Sequence, residues 1–320
     1  MKHLSKTREM LALTFIFILS LSSPTLAEQK KSKPKKTLPQ GTPVLWQEPT
    51  DIKTRDLFHG PGGKAMQPNL KRITFIKEQK GGWSKKYRVR DASGREWVAK
   101  LGEEAQSEAA ATRLLWAVGY IPEITYLVPR VTIPGKGVFE NVRFEARPEN
   151  VKRYDEWLWD KNPFTGTNEL QGLKVMMVLL NNWDIKDENN VILHTQGERE
   201  IRYAVSDLGA TFGKAGGLFW QLTRSRNKPK DFEQAKFIDG IEGEKIDFSY
   251  GGKKSELFDD ITVGQARWVG GYLARLSDKQ LRDAFRAANY TPAEINLLSS
   301  AVRARISELN NLSGGVARSR

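Results

Sequence analysis

The sequence predicts an α+β protein in which a mainly β half is followed by a mainly α half. Between Arg72 and Asn150, segments rich in β-branched and aromatic residues are separated by glycine-containing turns, as antiparallel strands are. Beyond Leu170, apolar residues recur at the spacing of a helix, and three helix starts carry capping-box sequences. We therefore predict a small antiparallel sheet with one helix, followed by a larger helical part.

Length and composition restrict the protein to the globular class. Of its 320 residues, 39% are hydrophobic and 28% are charged, which excludes collagen-like, low-complexity and mostly disordered chains. Cysteine is absent, so disulfides, cysteine zinc sites and thiol nucleophiles are excluded as well. The formal net charge of +13 favours anionic partners such as nucleotides, phosphorylated glycans, nucleic acid or anionic lipid, and it does not choose among them. No specific nucleic-acid partner is predicted.

The first 27 residues have the pattern of a secretory signal peptide. Three lysine or arginine residues precede an apolar run from Met10 to Leu21, and a small-x-Ala cleavage site ends at Ala27. Twelve residues span about 18 Å at 1.5 Å per residue, less than a bilayer core of roughly 30 Å. We predict cleavage after Ala27 and a secreted or periplasmic protein; an uncleaved anchor is the alternative.

The mature chain is predicted to have four segments. Residues 28–45 carry five lysines between positions 30 and 36, and they are predicted to be a disordered basic linker that can contact an anionic surface. The mainly β part is predicted at 46–150, the mainly α part at 151–312, and a disordered tail at 313–320. The predicted elements of the β part are strands at Arg72–Glu78, Tyr87–Asp91 and Glu96–Leu101, a helix at Ser107–Val118, and strands at Ile124–Ile133 and Val138–Glu145.

The mainly α part begins with an amphipathic helix, whose apolar residues share one face between Leu173 and Leu180. Three capping boxes predict the starts of three further helices, at Thr262, Ser277 and Thr291. Short strands are predicted at Asn190–Leu193, Ile201–Val205 and Lys245–Tyr250.

Three short motifs indicate the chemistry. In the segment Asp184–Asn189, an Asp and an Asn have the D-x-x-x-x-N spacing of a phosphotransferase catalytic loop. The segment Trp97–Lys100 places a lysine on a strand that follows a glycine-containing hairpin, and Asp207–Gly209 follows an apolar strand. The D-x-x-x-x-N spacing alone occurs by chance about once in a chain of this length. All three motifs in this order, each on the expected element, are much rarer.

In these segments the chain resembles the protein-kinase-like superfamily. Trp97–Lys100 is similar to the V-A-I-K strand, Asp184–Asn189 to D-L-K-P-E-N at four of six positions, and Asp207–Gly209 to D-F-G. The resemblance runs from about Arg72 to Phe212. It implies a two-lobed fold: a small antiparallel β N-lobe with one helix, a larger mainly α C-lobe, and a nucleotide in the cleft between them. The signal sequence suggests an atypical, exported bacterial branch.

The resemblance implies that ATP and Mg²⁺ are the cofactors. Lys100 would contact the α- and β-phosphates, and Val98, on the same face of the strand, would cover the adenine. Because a buried ammonium group needs a carboxylate partner, Glu108 is predicted to pair with Lys100, with Glu104 as the second candidate.

The other implied roles concern the metal, the transfer step and a phosphate-covering loop. Asp207 would bind Mg²⁺, and Asn189 would supply the second metal contact. Asp184 would orient the acceptor hydroxyl and take its proton, while Lys186 would steady the transferred phosphate. Ser84, at the end of the turn that begins at Gly81, would donate to a phosphate; a simple hairpin turn is the alternative interpretation of this segment.

These assignments predict an exported phosphotransferase that moves the γ-phosphate of ATP to a hydroxyl of a protein, a glycan or a small molecule. Two departures from the protein-kinase pattern keep other functions open. Trp183 stands where many kinases have the Arg that precedes the catalytic Asp, and no A-P-E sequence follows Asp207. One alternative is a catalytically inactive kinase-like binding protein. Another is a nucleotidylyltransferase on the same fold.

Overall fold

The computed structural model describes residues 36–81, 84–215 and 224–313. The predicted signal peptide at 1–27 and the first eight residues of the predicted basic linker lie outside the described residues. The same holds for Gly82 and Trp83 in the predicted phosphate-covering turn, and for all of the predicted tail except Ser313.

The described part of the chain contains eleven strands and six α-helices. The strands are β1 (Thr42–Val44), β2 (Thr74–Gln79), β3 (Lys86–Arg90), β4 (Glu96–Lys100), β5 (Thr125–Ile133), β6 (Gly137–Ala146), β7 (Val151–Arg153), β8 (Asn190–Thr195), β9 (Glu200–Val205), β10 (Ile238–Glu242) and β11 (Lys245–Phe248). The helices are α1 (Glu104–Ala117), α2 (Asn168–Leu179), α3 (Pro229–Gln234), α4 (Val263–Ala274), α5 (Asp278–Arg286) and α6 (Pro292–Asn310).

The N-lobe is built on the five antiparallel strands β2 to β6, in the order β2-β3-β4-β6-β5. Successive side chains of a strand point to opposite faces of its sheet. Along β4, Trp97 and Ala99 therefore face the apolar core of the sheet, whereas Val98 and Lys100 face the cleft between the lobes. Helix α1 packs against β5 and β6 on the cleft side. The end of β4 and the start of α1 thus lie close together.

Helix α1 is rich in alanine because it is packed on several sides. Its residues Ala105, Ala109 and Ala110 have no exposed surface, and the helix contacts both the N-lobe sheet and α5. Small side chains let these elements approach closely. The helix begins three residues earlier than the predicted start at Ser107. As a result Glu104 and Glu108, which are one turn apart, share one face.

The C-lobe combines helices with a four-stranded sheet of order β1-β9-β8-β7, in which β1 is parallel to β9 and the other pairs are antiparallel. Helix α4 packs against both α2 and α6, and the predicted apolar face of α6 is buried in the main core: Leu298, Val302, Ile306 and Leu309. The α+β class and the order of a mainly β lobe followed by a mainly α lobe are confirmed. Among the described helices, none combines the length and the apolarity needed to cross a bilayer.

The segment before the N-lobe sheet differs from its prediction in two respects. Residues 42–44 lie in the predicted disordered linker, but they form β1 because they pair with β9 over residues 200–202. Residues 46–150 were expected to form the N-lobe, yet Ile52 and Leu57 are buried in the same apolar core as the C-lobe helices. The N-lobe sheet itself begins only at Thr74.

A buried arginine of α6 ties together the ends of two other helices. The Arg305 guanidinium donates to the carbonyl oxygens of Val178 and Leu179 at 3.5 and 2.7 Å, and to those of Phe232 and Ala235 at 3.1 and 3.0 Å. These carbonyls belong to the last turns of α2 and α3, where a helix leaves such groups without partners of its own. Burial lowers the pKa of Arg305 to about 9, although its guanidinium stays protonated at neutral pH.

All three predicted capping boxes are confirmed, and the one at Thr291 gives a stability prediction. The Thr291 hydroxyl accepts from the backbone N–H of Glu294, whose carboxylate accepts from the backbone N–H of Thr291. Thr291→Ala is expected to lower the free energy of unfolding by about 1 kcal/mol. Urea denaturation measures the change. Ser300→Ala, at an exposed position of the same helix, is the control and should change it by less than about 0.5 kcal/mol.

Candidate active site

A cavity of about 450 Å³ lies between the N-lobe sheet and the loops that follow α2 and β9. This volume is in the range of sites that hold small molecules and cofactors. Of the eight residues that the sequence predicts for the site, six line the cavity: Val98, Lys100, Glu108, Lys186, Asn189 and Asp207. Because these residues come from both lobes, the tertiary fold is what brings them together.

A tight connection between β4 and α1 sets the position of Lys100. The strand ends at Lys100 and the helix begins at Glu104, so three residues make the turn. Gly102 in this turn has a φ of +100°, a conformation that other residues rarely adopt. The short connection explains how Lys100 can contact a helix residue only eight positions further along the chain.

Lys100 is the centre of a buried ion-pair cluster. Its Nζ lies 2.8 Å from Oε2 of Glu104, 2.9 Å from Oε2 of Glu108 and 3.1 Å from Oδ1 of Asp207. Its side chain is only 2% exposed. Burial alone would lower the pKa of Lys100, but the carboxylates of Glu108 and Asp207 outweigh it and raise the pKa above its ordinary value. Lys100 is therefore a permanently charged group in the cavity wall.

The carboxylates of this cluster have further cationic partners. Glu108 also forms an ion pair with Arg143, which in turn contacts Glu145 at 2.6 Å, and Glu104 forms an ion pair with Arg226. Burial raises the pKa of Glu108 to about 7, against the opposing effects of Arg143 and Lys100. Both sequence candidates for the partner of Lys100 thus contact its ammonium group.

Asp207 and Asn189 are held side by side on the C-lobe side of the cavity. The backbone carbonyl oxygen of Asn189 accepts from the N–H groups of Ser206 and Asp207, at 2.7 and 3.2 Å. The Asp207 carboxylate accepts from the N–H of Gly209 at 3.2 Å. Burial would raise the pKa of Asp207, but the charges of Lys100 and Arg143 lower it to about 2. Asp207 is therefore ionised at any physiological pH.

Gly209 lets the loop that carries Asp207 approach helix α1. A Cβ atom at Gly209 would lie 2.6 Å from the Cβ of Glu104, closer than two such atoms can approach. The hydroxyl of Ser107 donates to the carbonyl oxygen of Gly209 at 2.8 Å. These contacts couple the position of Asp207 to that of the helix carrying Glu104.

Asp184 lies at the rim of the cavity, in the loop that follows α2. Its carboxylate contacts Nζ of Lys186 at 3.0 Å and Nζ of Lys253 at 2.5 Å. Its backbone carbonyl oxygen accepts from Nδ2 of Asn189 at 2.5 Å. Lys186, which lines the cavity, therefore connects Asp184 to the space in which a ligand would lie.

Among the predicted site residues, Ser84 differs most from its prediction. Its hydroxyl donates to Oε2 of Glu104 at 2.9 Å, and the residue does not line the cavity. Gly82 and Trp83, in the same predicted turn, lie outside the described part of the chain.

Several charged residues of the site were not expected from the sequence. Glu145, Arg147 and Arg153 line the cavity beside Val98, and Arg147 forms an ion pair with Glu145. For Glu145 a signal was present, because charged and apolar residues alternate along the buried end of β6, so that the charged ones share the face toward the cleft. Lys253 was also missed, since it follows Asp184 by 69 residues and lies in no recognisable motif.

No protein-family model and no curated protein sequence matches this chain. Solved structures that resemble it include the proinflammatory kinase CtkA of Helicobacter pylori, at 10% identity over 76% of this chain and 96% of that chain, with a TM-score of 0.45. Another is the Rio2 kinase of Chaetomium thermophilum in complex with ADP, Mg²⁺ and phosphoaspartate. It is 11% identical over 73% of this chain and 72% of that chain, with a TM-score of 0.29.

A third is the kinase domain of maize SIRK1, a sucrose-induced receptor kinase, bound to AMP-PNP. It is 14% identical over 74% of this chain and 93% of that chain, with a TM-score of 0.22. All three TM-scores are below 0.5. The fold is therefore assigned from the chain's own features, which are the order of the N-lobe sheet, the helix beside it, the helical second lobe and the cavity between the two. Together these features make it a two-lobed protein-kinase-like fold.

Proposed function

We propose that this protein is a phosphotransferase that moves the γ-phosphoryl group of ATP to an acceptor hydroxyl. The observation that supports this best is the convergence of Lys100, Asn189 and Asp207 on one cavity, although Lys100 and Asp207 are 107 residues apart. A lysine, an ionised carboxylate and a side-chain amide are the groups that hold and neutralise a triphosphate in kinases. Lys100 would contact the α- and β-phosphates.

The residues beside Lys100 fit a divalent cation held partly by phosphate oxygens. Asp207 offers an ionised carboxylate, and Asn189 offers its amide oxygen, because its Nδ2 is committed to the carbonyl of Asp184. No group of three or more His, Asp or Glu side chains suited to a metal occurs in the described residues. Mg²⁺ commonly uses only one or two protein carboxylates together with phosphates and water. Bound there, it would neutralise charge on the phosphate oxygens.

Asp184 and Lys186 are proposed to act on the acceptor and the transferred group. The acceptor oxygen forms a bond to the γ-phosphorus, and the bond from that phosphorus to the β,γ-bridging oxygen breaks, leaving its electron pair on ADP. The hydroxyl proton passes to the Asp184 carboxylate and then to solvent. Lys186, 3.0 Å from Asp184 and in the cavity wall, lies where it can contact the phosphoryl group in transit.

A kinase-like binding protein without catalytic activity is the second candidate. Val98 would cover the adenine, but the cavity wall beside it carries Glu145, Arg147 and Arg153. A planar base binds best between apolar or aromatic groups, so this charged wall favours a ligand other than adenine. Nucleotidyl transfer on the same fold would use the same residues, and the mass added to a modified target distinguishes it from phosphoryl transfer.

Nucleotide binding is tested by thermal denaturation of the purified protein. With Mg²⁺ and ATP at about 100 times Kd, binding contributes about 2.7 kcal/mol, which corresponds to a rise in Tm of roughly 4–5 °C for a chain of this length. Asp207→Ala should abolish the Mg²⁺-dependent part of this rise. Glu188→Ala, which removes an exposed carboxylate from the same cavity, is the control and should preserve it. A wild-type protein without a Mg²⁺-dependent shift would exclude the proposed function.

Export is proposed from residues 1–27 alone. Cleavage after Ala27 would leave Glu28 as the first residue of the mature protein. N-terminal sequencing of the protein recovered from the periplasm or the medium tests this, and recovery of an intact N-terminus in the cytoplasm would contradict it.

A further inference from the structure

Two lysines from different parts of the chain contact the two carboxylate oxygens of Asp184. Lys186 lies 3.0 Å from Oδ2, and Lys253 lies 2.5 Å from Oδ1. The kinase-like motif accounts for Lys186, two residues after the Asp. It does not account for Lys253, which reaches the site from the segment that follows the β10-β11 hairpin. Lys253 therefore has a position next to the proposed base without a role in the transfer described above.

The backbone around Lys253 is anchored to the loop that carries Asp184. The N–H of Lys253 donates to the carbonyl oxygen of Trp183 at 2.9 Å, and the hydroxyl of Tyr250 donates to that of Asn182 at 2.7 Å. The packing is close enough that a Cβ at Gly252 would lie 2.7 Å from the Cα of Trp183. Lys253 is thus presented to Asp184 by a fixed segment, unlike a surface lysine that reaches an acid by chance.

The surroundings of Asp184 carry an excess of positive charge. The Asp184 carboxylate forms ion pairs with Lys186 and Lys253, and it also attracts the charge of Arg224. A second carboxylate, that of Glu188, attracts the charge of Lys186. Two lysines therefore share the single carboxylate of Asp184, where an acceptor hydroxyl must approach. The side chains of Lys186 and Lys253 are 37% and 41% exposed, so both can bind a further anion.

We propose that Lys253 binds a negative charge next to the acceptor hydroxyl, so that the acceptor is a serine or threonine in an acidic segment of a polypeptide. This inference rests on the proposed function. The exposure of Lys253 favours a polypeptide, because a chain that lies across the surface can reach this side chain. A small anionic molecule would require more enclosure than the rim of the cavity provides. Lys253 is a specificity-determining residue in this proposal.

The neighbouring lysine provides a matched control. Lys254 is the next residue in the chain and has the same charge as Lys253. Its Nζ, however, lies 2.5 Å from Oδ2 of Asp187 and forms its ion pair there instead of with Asp184. Asp187 also accepts from the backbone N–H of Trp159 at 3.0 Å. Replacing Lys254 therefore removes a charge from the same segment without changing the contacts of Asp184.

The experiment compares two synthetic peptides of equal length, each with one serine, flanked by glutamates in one and by lysines in the other. Binding to the full-length protein is measured by fluorescence anisotropy, with and without Mg²⁺ and ATP. The wild type should prefer the glutamate peptide, and Lys253→Ala should weaken that binding about five- to tenfold. Lys253→Arg should retain it, and Lys254→Ala should change it less than about twofold. The preference should decrease with added salt.

The outcomes separate this inference from the proposed function. Equal binding of the two peptides, or an equal effect of Lys253→Ala and Lys254→Ala, overturns the inference even if the peptides are phosphorylated. Glutamate-peptide binding that depends on Lys253, without any phosphate transfer, supports the anion site and counts against the phosphotransferase. If Lys253→Ala instead increases kcat/KM for both peptides, Lys253 is an inhibitory contact and the inference is wrong.

Discussion

Replacing Lys100 with methionine is expected to lower the free energy of unfolding by about 3–5 kcal/mol. Methionine keeps the length and apolar stem of the side chain but removes the ammonium group that contacts Glu104, Glu108 and Asp207 within 3.1 Å. Removing one member of a buried ion-pair cluster leaves the others as uncompensated charges. Guanidinium-induced unfolding measures the loss. The Mg²⁺-dependent thermal shift with ATP should disappear in the same variant.

Lys86→Met is the matched control for this prediction. Lys86 lies directly opposite Lys100 in the β3-β4 register and lines the same cavity, but its side chain is partly exposed. Its replacement should therefore change the free energy of unfolding by less than about 0.5 kcal/mol. If the two variants lose similar small amounts of stability, the cluster around Lys100 does not depend on its charge and the interpretation of that cluster is wrong.

Replacing Asp184 with asparagine is expected to reduce phosphoryl transfer by about 10²- to 10⁴-fold while leaving nucleotide binding intact. The amide is nearly isosteric with the carboxylate but cannot take the proton of the acceptor hydroxyl. Asp184 lies at the rim of the cavity and does not line it, so the thermal shift with Mg²⁺ and ATP should remain. Single-turnover transfer to the glutamate-flanked peptide measures the rate.

Asp187→Asn tests whether the effect is specific to the proposed base. Asp187 lies in the same loop and, like Asp184, forms an ion pair with a lysine, since Nζ of Lys254 lies 2.5 Å from its Oδ2. Its replacement should alter the transfer rate by no more than a few-fold. A fully active Asp184→Asn protein would mean that another group accepts the proton. An inactive wild type that still binds Mg²⁺ and ATP would favour the catalytically silent binding protein.

Much of the fold follows from local sequence patterns. Strands β2 to β6, helices α2 and α4 to α6, and the three capping boxes match their predictions to within a few residues. Each of these depends on side-chain periodicity or on a cap within one turn, which short segments determine largely by themselves. The contact between Lys100 and Glu108 was also predictable, because a buried ammonium group requires a carboxylate and the next helix offers one.

The remaining features depend on contacts between distant parts of the chain. Strand β1 forms only because residues 42–44 pair with residues 200–202 of β9, and no pattern in three residues indicates a partner so far away. Lys253 reaches Asp184 across 69 residues for the same reason. The charge of Arg143 in the cavity wall was missed because a strand residue can face either side until the neighbouring elements are known.

The arginine that joins α6 to the ends of α2 and α3 has a consequence for biosynthesis. The loop bearing Asp184 begins where α2 ends, at carbonyl groups that have Arg305 as a partner. A ribosome makes roughly 5–20 residues each second from the N-terminus onward, so Arg305 is added 126 residues after Leu179. The carbonyl groups at the end of α2, where the loop bearing Asp184 begins, therefore gain this partner only after α6 has been made.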